Sequence, residues 1–311
     1  MGRIKCAVWV FVLVAVVVAA VGCTGLPGRP TQVKQLQAEI AVMPGVESFS
    51  ASYSNNITHG AVLDLWVRMP GASEDQIAAV ARRINEIKAD YFEGYDQTTE
   101  FIVGERLKVR RGERLDPDQV AADARGVRQI GGALPGTEVS WFRGKVATIT
   151  LNHSPAAAES LAAVRPVIGT DALGVDILPA GDAPMWWVGF PLTAEREQQL
   201  LTLVNGLPVQ VLAVRIEDGH MSNMSVGVRD PASAYADLAA AIAALQPTTR
   251  HPMLLRWSGT RGPDGKSFSG SVHVGGCSYG TTAGEQDPES YYPPEAIDVQ
   301  RRLREQFDTC Q

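Results

Sequence analysis

The stretch VSWFRGKVATITLNHSPAAAESLAAV, residues 139–164, carries the plan of the whole chain. Two runs rich in β-branched and aromatic residues, Val139–Phe142 and Val146–Leu151, flank Arg143-Gly144, which reads as a hairpin turn. Ser154-Pro155 then reads as a helix start, because Ala157, Leu161 and Val164 follow it at helical spacing. The motif is strand, strand, helix.

The same motif recurs on both sides. Ser73-Glu-Asp-Gln76 reads as a capping box ahead of Ile77, Val80, Ile84 and Ile87. Asp116-Pro117 opens a helix with Val120, Ala124 and Val127 on one face. Thr193 precedes Leu200, Leu201 and Val204; Asp230-Pro231 precedes Leu238, Ile242 and Leu245. A last helix begins near Pro293-Pro294 and runs to Thr309. The first five starts, at Ser73, Asp116, Ser154, Thr193 and Asp230, are 43, 38, 39 and 37 residues apart, a spacing that points to one repeated supersecondary motif. Strand pairs fill the gaps, and Asp218-Gly219 between Val209–Ile216 and Met224–Val228 is the strongest hairpin signal among them. Met43-Pro44-Gly45-Val46-Glu47 parallels Leu134-Pro135-Gly136-Thr137-Glu138, each just before a strand.

One ββα repeat buries only one face of two strands, so repeats must associate. The expectation is an α+β fold of repeated ββα units, forming antiparallel sheets with helices on one face, as in the layered modules of ferredoxin-like folds. The boundaries expected are 1–22 for a signal peptide, 23–40 for a tether, and ββα pairs at 41–133, 134–206 and 207–311. Pairing across those boundaries, or one continuous sheet, are the alternatives.

The N-terminus decides the address. Arg3 and Lys5 precede an uncharged apolar run, Ala7–Val21, then Gly22-Cys23. The segment Ala19-Ala20-Val21-Gly22-Cys23 resembles the lipobox of bacterial lipoproteins, although that family most often has Leu at the place of Ala20. The resemblance covers only these first residues. It implies that Cys23 carries a diacylglyceryl group on its thiol, that cleavage falls after Gly22, and that the chain is a lipid-anchored cell-membrane protein on the extracytoplasmic face. Two other readings stand beside it: a secretory signal cut behind the small residues Ala19 and Val21, and an uncleaved single span. The Gly/Pro-rich stretch Thr24–Pro30 reads as a tether that keeps the folded part off the bilayer. The abundance of Ala and Arg fits a high-GC, actinobacterial genome.

Charge narrows the partners. The net charge is −6, and loss of Arg3 and Lys5 with the signal would make it −8. An acidic chain is ill suited to nucleic acid, whose phosphates need a basic face. The partners expected are the membrane, through the N-terminal lipid, and an envelope protein or lipid. In an oxidising compartment Cys277 and Cys310 are the pair left for a disulfide, with two free buried thiols as the alternative.

Chemistry-bearing motifs are few. The five histidines, His59, His153, His220, His251 and His273, show no metal-ligand spacing, and no cofactor is expected. His220-Met221 with Met224 is a soft copper candidate set against a plain core reading. GxSxG, SxxK, CxxC and P-loop signatures are absent. The carboxylate pairs Asp116/Asp118 and Glu217/Asp218 fit a helix cap and a turn. Trp186-Trp187 are adjacent on a strand and so face opposite sides, and Trp66, Trp141 and Trp257 also lie on strands. An exposed Trp on a sheet would suit a peptide, glycan or acyl chain. The polar loop Glu285–Pro294 is a further contact candidate. The expected function is a non-catalytic binding or scaffold role; the alternatives are a carrier of a lipid or other apolar envelope molecule, and a cell-wall hydrolase with a dispersed site.

Overall fold

The computed structural model describes residues 26–56, 60–262, 265–276, 279 and 283–309. The signal-like stretch 1–22 and the residues Cys23, Cys277, Cys310 and His59 lie outside these, and with them the lipidation and disulfide expectations. The fold is mixed α/β and divides into two units, one through Arg128 and one from Gln129.

The N-terminal unit contains α1 (Pro30–Ile40), β1 (Ser48–Asn56), β2 (Gly60–Arg68), α2 (Glu74–Lys88), β3 (Asp96–Gly104) and β4 (Leu107–Arg111). Helix α3 (Pro117–Ala133) follows and crosses the division. The capping box at Ser73 is formed in full: Gln76 N–H donates to Ser73 Oγ, and Ser73 N–H to Gln76 Oε1. Asp116 caps α3 by accepting from the N–H groups of Asp118 and Gln119, both at 3.1 Å. The stretch 23–40 differs from the tether expected of it. From Leu26 onward it belongs to the fold, because Val33, Leu36 and Ile40 bury the inner face of α1, and Glu39 pairs with Arg83 of α2.

The C-terminal unit contains β5 (Glu138–Arg143), β6 (Ala147–Ser154), α4 (Ala157–Ile168), β7 (Gly174–Pro179), β8 (Met185–Gly189), α5 (Ala194–Asn205), β9 (Gln210–Glu217), β10 (His220–Gly227), α6 (Ala234–Leu245), β11 (Met253–Arg261) and β12 (Ser267–Val274). Two single-turn helices, α7 (Ala283–Gln286) and α8 (Pro288–Tyr291), lead into α9 (Pro294–Phe307). Thr193 caps α5 through its hydroxyl, accepting from Arg196 N–H at 3.2 Å. Ser154 does not cap α4; it ends β6 as a buried residue, and Ala156 stands at the N-cap.

Each ββ pair is an antiparallel hairpin, as in β5–β6, β7–β8, β9–β10 and β11–β12. Successive hairpins join side by side in parallel: β2 with β3, β6 with β7, β8 with β9, and β10 with β11. The sheet is therefore mixed, which corrects the all-antiparallel expectation. The reason is geometric. A helix between two hairpins carries the chain back along the sheet, so the next strand starts at the same end and runs parallel. The β8–β9 join also places 134–206 and 207–311 in one sheet.

Burial alternates along the strands. A buried row crosses the C-terminal unit through Val139, Leu151, Ile177, Trp186, Val214, Met224, Leu255 and Val272, one residue per strand. Eight side chains of this size, each stabilising by about 1.5–3 kcal/mol, are the chief favourable contribution of the sheet. The outer edge at β12 is sealed by the following residues. Ser271 N–H donates to Gln300 Oε1 at 2.9 Å, Arg304 Nε donates to Ser271 O at 3.1 Å, and His273 N–H donates to Tyr279 OH at 3.0 Å. An edge satisfied in this way offers no template for another strand.

One buried ion pair ties β4 to α3. Arg111 and Asp123 are 4% and 1% exposed and hydrogen-bonded to each other. Gln119 Nε2 also donates to the Asp123 carboxylate at 2.9 Å. Removing one member strands the other charge. Asp123→Ala is expected to destabilise the fold by about 3–5 kcal/mol, whereas the double replacement Arg111→Met with Asp123→Leu costs far less. Denaturant unfolding of both variants checks this, and equal losses would contradict it.

Candidate functional site

The residues between those of the buried row form a second row on the other side of the C-terminal sheet. It runs Ser140, Thr150, Asp176, Trp187, Arg215, Asn223, Leu254 and His273, again one per strand. None of the eight is buried. Strand alternation produces this division: Trp186 is 3% exposed in the core, and its neighbour Trp187 is half-buried on the opposite side.

Beside this row lie Phe142, Thr148, Gly174 and Gly189, also in lateral register. Two consecutive glycines across the sheet leave bare backbone between larger side chains. A Cβ on Gly189 would stand 3.3 Å from Ile216 O, so a side chain there crowds the neighbouring strand. The two glycines thus leave a strip without side chains beside the row, a shallow trough by side-chain size alone. Phe142, 38% exposed, and Trp187 supply apolar surface, Thr148 and Thr150 supply hydroxyls, and Asp176 and Arg215 supply charge.

The charged members are held differently. Arg215 lies over the Trp187 ring at 5.3 Å, a cation–π contact, and approaches Glu217 at 3.9 Å. Asp176 sits between Thr150 and Trp187 in the row, half-buried. Burial pushes its carboxyl above the ordinary carboxylate value, and the positive charge of Arg215 partly offsets that. Among the described residues no hydrogen bond reaches the Asp176 carboxylate. Its oxygens reach solvent, so water or a ligand's hydroxyl or amide hydrogens can donate to them.

Other sequence candidates fall elsewhere. Met221 and Met224 are buried and pair with Ile216 and Val214, so their thioethers belong to the core. His220 instead stacks on His251, with centroids 3.4 Å apart and planes at 12°, a contact between residues far apart in sequence. Desolvation, then the charge of His251, lowers the His220 pKa. Parallel stacked rings aim their nitrogens alongside one another, not at a common point. Among the described residues no group of three or more His, Cys, Asp or Glu could hold a metal ion. Asp218 takes φ +50° beside Gly219 at +71° in the β9–β10 turn, the structural role expected of it. Trp141 and Trp257 are core residues, 3% and 2% exposed, and Trp66 is 37% exposed on β2 of the N-terminal unit. The stretch Glu285–Pro294, expected as a loop, is largely taken up by the single-turn helices α7 and α8; Tyr291, the last residue of α8, is 49% exposed, and Lys266 Nζ donates to Glu289 O at 2.5 Å.

Sequence reading missed one group, Lys88. It is 4% exposed at the C-terminal end of α2 and lines a cleft of about 440 Å³ with Asn85, Asp90, Glu93, Gln97 and Glu113. Its Nζ donates to Glu113 O at 2.5 Å. Asn85 holds the same connection from both sides, donating to Leu115 O at 2.6 Å and accepting from Leu115 N–H at 3.2 Å. The helical periodicity of α2 marked Ile84 and Ile87 as inward; Lys88, adjacent to Ile87, carried no separate signal.

No protein-family model, curated protein or solved structure matches this chain at a significant level.

Burial pushes the Lys88 ammonium down from 10.5 to about 8, and the Glu113 charge opposes this. With the folded pKa below the unfolded one, the charged lysine costs stability below about pH 8, and the cost is relieved as pH rises towards 10.5. Relative to Lys88→Met, the native chain is expected to gain about 2–3 kcal/mol between pH 7 and pH 11. Urea unfolding of both chains at the two pH values measures it. A difference that does not change with pH would place the Lys88 pKa near its ordinary value.

Proposed function

We propose that this chain is a lipid-anchored protein of the bacterial cell envelope that binds an envelope glycan, without catalysis, on the Asp176–Trp187–Arg215 face of its C-terminal sheet. The observation that carries the reading is the trough itself. An aromatic ring, a carboxylate without a protein donor and two threonine hydroxyls beside bare backbone are the chemistry that receives a sugar. The ring meets the apolar face of the pyranose, and the polar groups meet its hydroxyls. The anchor rests on the lipobox-like segment ending in Cys23. The address on the outer face of the cell membrane follows from that segment and from the composition.

The layered arrangement belongs to this proposal. Helices α4, α5, α6 and α9 are taken to cover the buried row in the manner of ferredoxin-like layers, leaving the trough side uncovered. One feature supports that: burial alternates strictly at the row positions, so a single side of the sheet is covered. A disulfide between Cys277 and Cys310 would fasten the segment after β12 to the end of α9. The absence of nucleophile motifs in the sequence favours binding over hydrolysis. The carrier reading has less in its favour: the clefts of about 440, 390 and 350 Å³ are surface features with polar groups in their linings.

Two measurements test the proposal. Full-length chain in detergent is expected to sediment with insoluble cell-wall glycan, and Trp187→Ala is expected to lower that retention about tenfold, the loss of about 1.4 kcal/mol. Labelled fatty acid is expected to enter the native chain and not Cys23→Ser. Undiminished retention of Trp187→Ala, or of Asp176→Asn combined with Thr150→Val, would move the binding surface elsewhere.

A further inference from the structure

The segment that follows the anchor is fastened to the N-terminal unit almost at once. Asn55 Nδ2 donates to Leu26 O at 2.7 Å, and Tyr95 OH donates to Pro27 O at 2.7 Å. Arg29 N–H donates to Tyr53 OH at 2.7 Å, and Arg29 Nε donates to Tyr91 O at 2.8 Å. Tyr53 and Tyr95 stack on each other with centroids 6.0 Å apart, and burial pushes the Tyr95 hydroxyl up to about 12. The Leu26 side chain closes over Gly94, whose φ is +80° and where a Cβ would stand 3.5 Å from Leu26 carbons. These partners come from the end of β1 and the connection leading into β3, so the stretch Leu26–Arg29 is held at one end of the unit.

Chain length then decides where that end can be. Three peptide steps separate Cys23 from Leu26, and covalent geometry limits them to roughly 11 Å. A free tether as far as Pro30 would reach roughly 25 Å. The headgroup layer beyond the hydrocarbon is itself about 6 Å deep, so an anchor at Cys23 leaves Leu26 at most roughly 5 Å beyond it.

We infer that the end of the N-terminal unit bearing Leu26, Arg29, Tyr91 and Gly94 rests against the phospholipid headgroups of the membrane that holds the chain. This rests on the anchoring reading above. The constraint is tightest for lipid on Cys23; from the end of a retained Ala7–Val21 span Leu26 is within roughly 18 Å, a looser limit. The surface suits the place. Tyr91 is 46% exposed, with Arg29 over its ring at 5.6 Å, and an aromatic ring beside a cation is the chemistry of the membrane–water interface. The neighbouring Asp90, Glu93 and Asp96 are exposed and acidic. Contact is thus imposed by the short connection and not by attraction to anionic lipid. Strand β3 runs away from this end, so the hairpin residue Glu105 at its far end lies roughly 26 Å off.

The test uses the full chain in the membranes of a bacterial host. A photoreactive benzoylphenylalanine replaces Glu93 in one variant and Glu105 in another; both positions are exposed and neither fastens Leu26–Arg29. Phospholipid adducts are read by mass after illumination. At least tenfold more adduct is expected from position 93 than from 105, and twelve Gly/Ser residues inserted between Gly25 and Leu26 are expected to lower the yield at 93 several-fold. Equal yields at the two positions in a chain that remains in the membrane fraction would overturn the inference and leave the anchor standing. Recovery of the chain in the aqueous fraction would overturn the anchor, and the inference with it.

Discussion

The C-terminal unit depends on one constraint: every strand must give one apolar side chain to the same buried row. Strand side chains alternate with period two, so a slip of one residue would send a whole strand's apolar set to the other side. Strand β9 shows how strictly this is kept. Val211 and Val214 are both buried although three residues apart, a spacing that simple alternation forbids. The register shifts opposite them, with Val211 on Val226 but Ala213 on Ser225, so Leu212 is an extra residue. On β10, Met221 and Met224 have the same odd spacing, and Ser222 is the extra residue there. Two bulges absorb the mismatch and keep both strands in the row. The cost is visible at Ser222, whose hydroxyl is buried without a hydrogen-bond partner.

The same constraint separates what could be read from the sequence from what could not. Helix starts were legible at Ser73, Asp116 and Thr193, because capping is a local bond between a side chain and a backbone N–H three residues away. Ser154 misled because it has the composition of a cap but sits at the end of β6, one position beyond the irregular His153 with φ +55°. The hairpins were legible from their turns. The parallel joins between hairpins were not, since a strand's own pattern says which of its sides is buried but not which way its neighbour runs. The stretch 26–29 looked like a tether because Gly and Pro dominate it. Its order comes from Tyr53, Asn55, Tyr91 and Tyr95, at sequence separations of 24 to 68 residues. Trp186 and Trp187 were legible as facing opposite sides, but which of them is buried, and the company of the other, were not. Asp176, Arg215 and the two glycines become its neighbours only through cross-strand register.

That register also explains why the trough has the shape it has. Gly174 and Gly189 are each the last or first residue of a strand, paired with one another across β7 and β8. Glycine lowers strand stability, and β-branched residues would pack better at such positions. Here the crowding at Gly189 comes from backbone, Ile216 O, so no side chain could occupy the place without moving β9. Close approach of the parallel strand and the bare floor of the trough are one feature. At Gly174 a Cβ would meet only ordinary contacts, 3.6 Å or more away, so the crowding belongs to Gly189 alone.

Lys88 and Asp176 are both partly or wholly buried ionisable groups, and they differ in what they do. Lys88 is expensive to bury, but its ammonium donates to Glu113 O while Asn85 clamps Leu115 from the same helix. Together they fix the connection from β4 into α3, so the cleft around them has a structural reason to exist. The Arg111–Asp123 pair binds the same two elements from within the core. Asp176 fastens nothing. It is only half-buried, it receives no hydrogen bond among the described residues, and its one favourable charge, Arg215, is itself engaged with the Trp187 ring. A polar group that stabilises the fold can be recognised by the segment that would come loose without it. By that criterion Lys88 is scaffold, and Asp176 is the group the fold does not use.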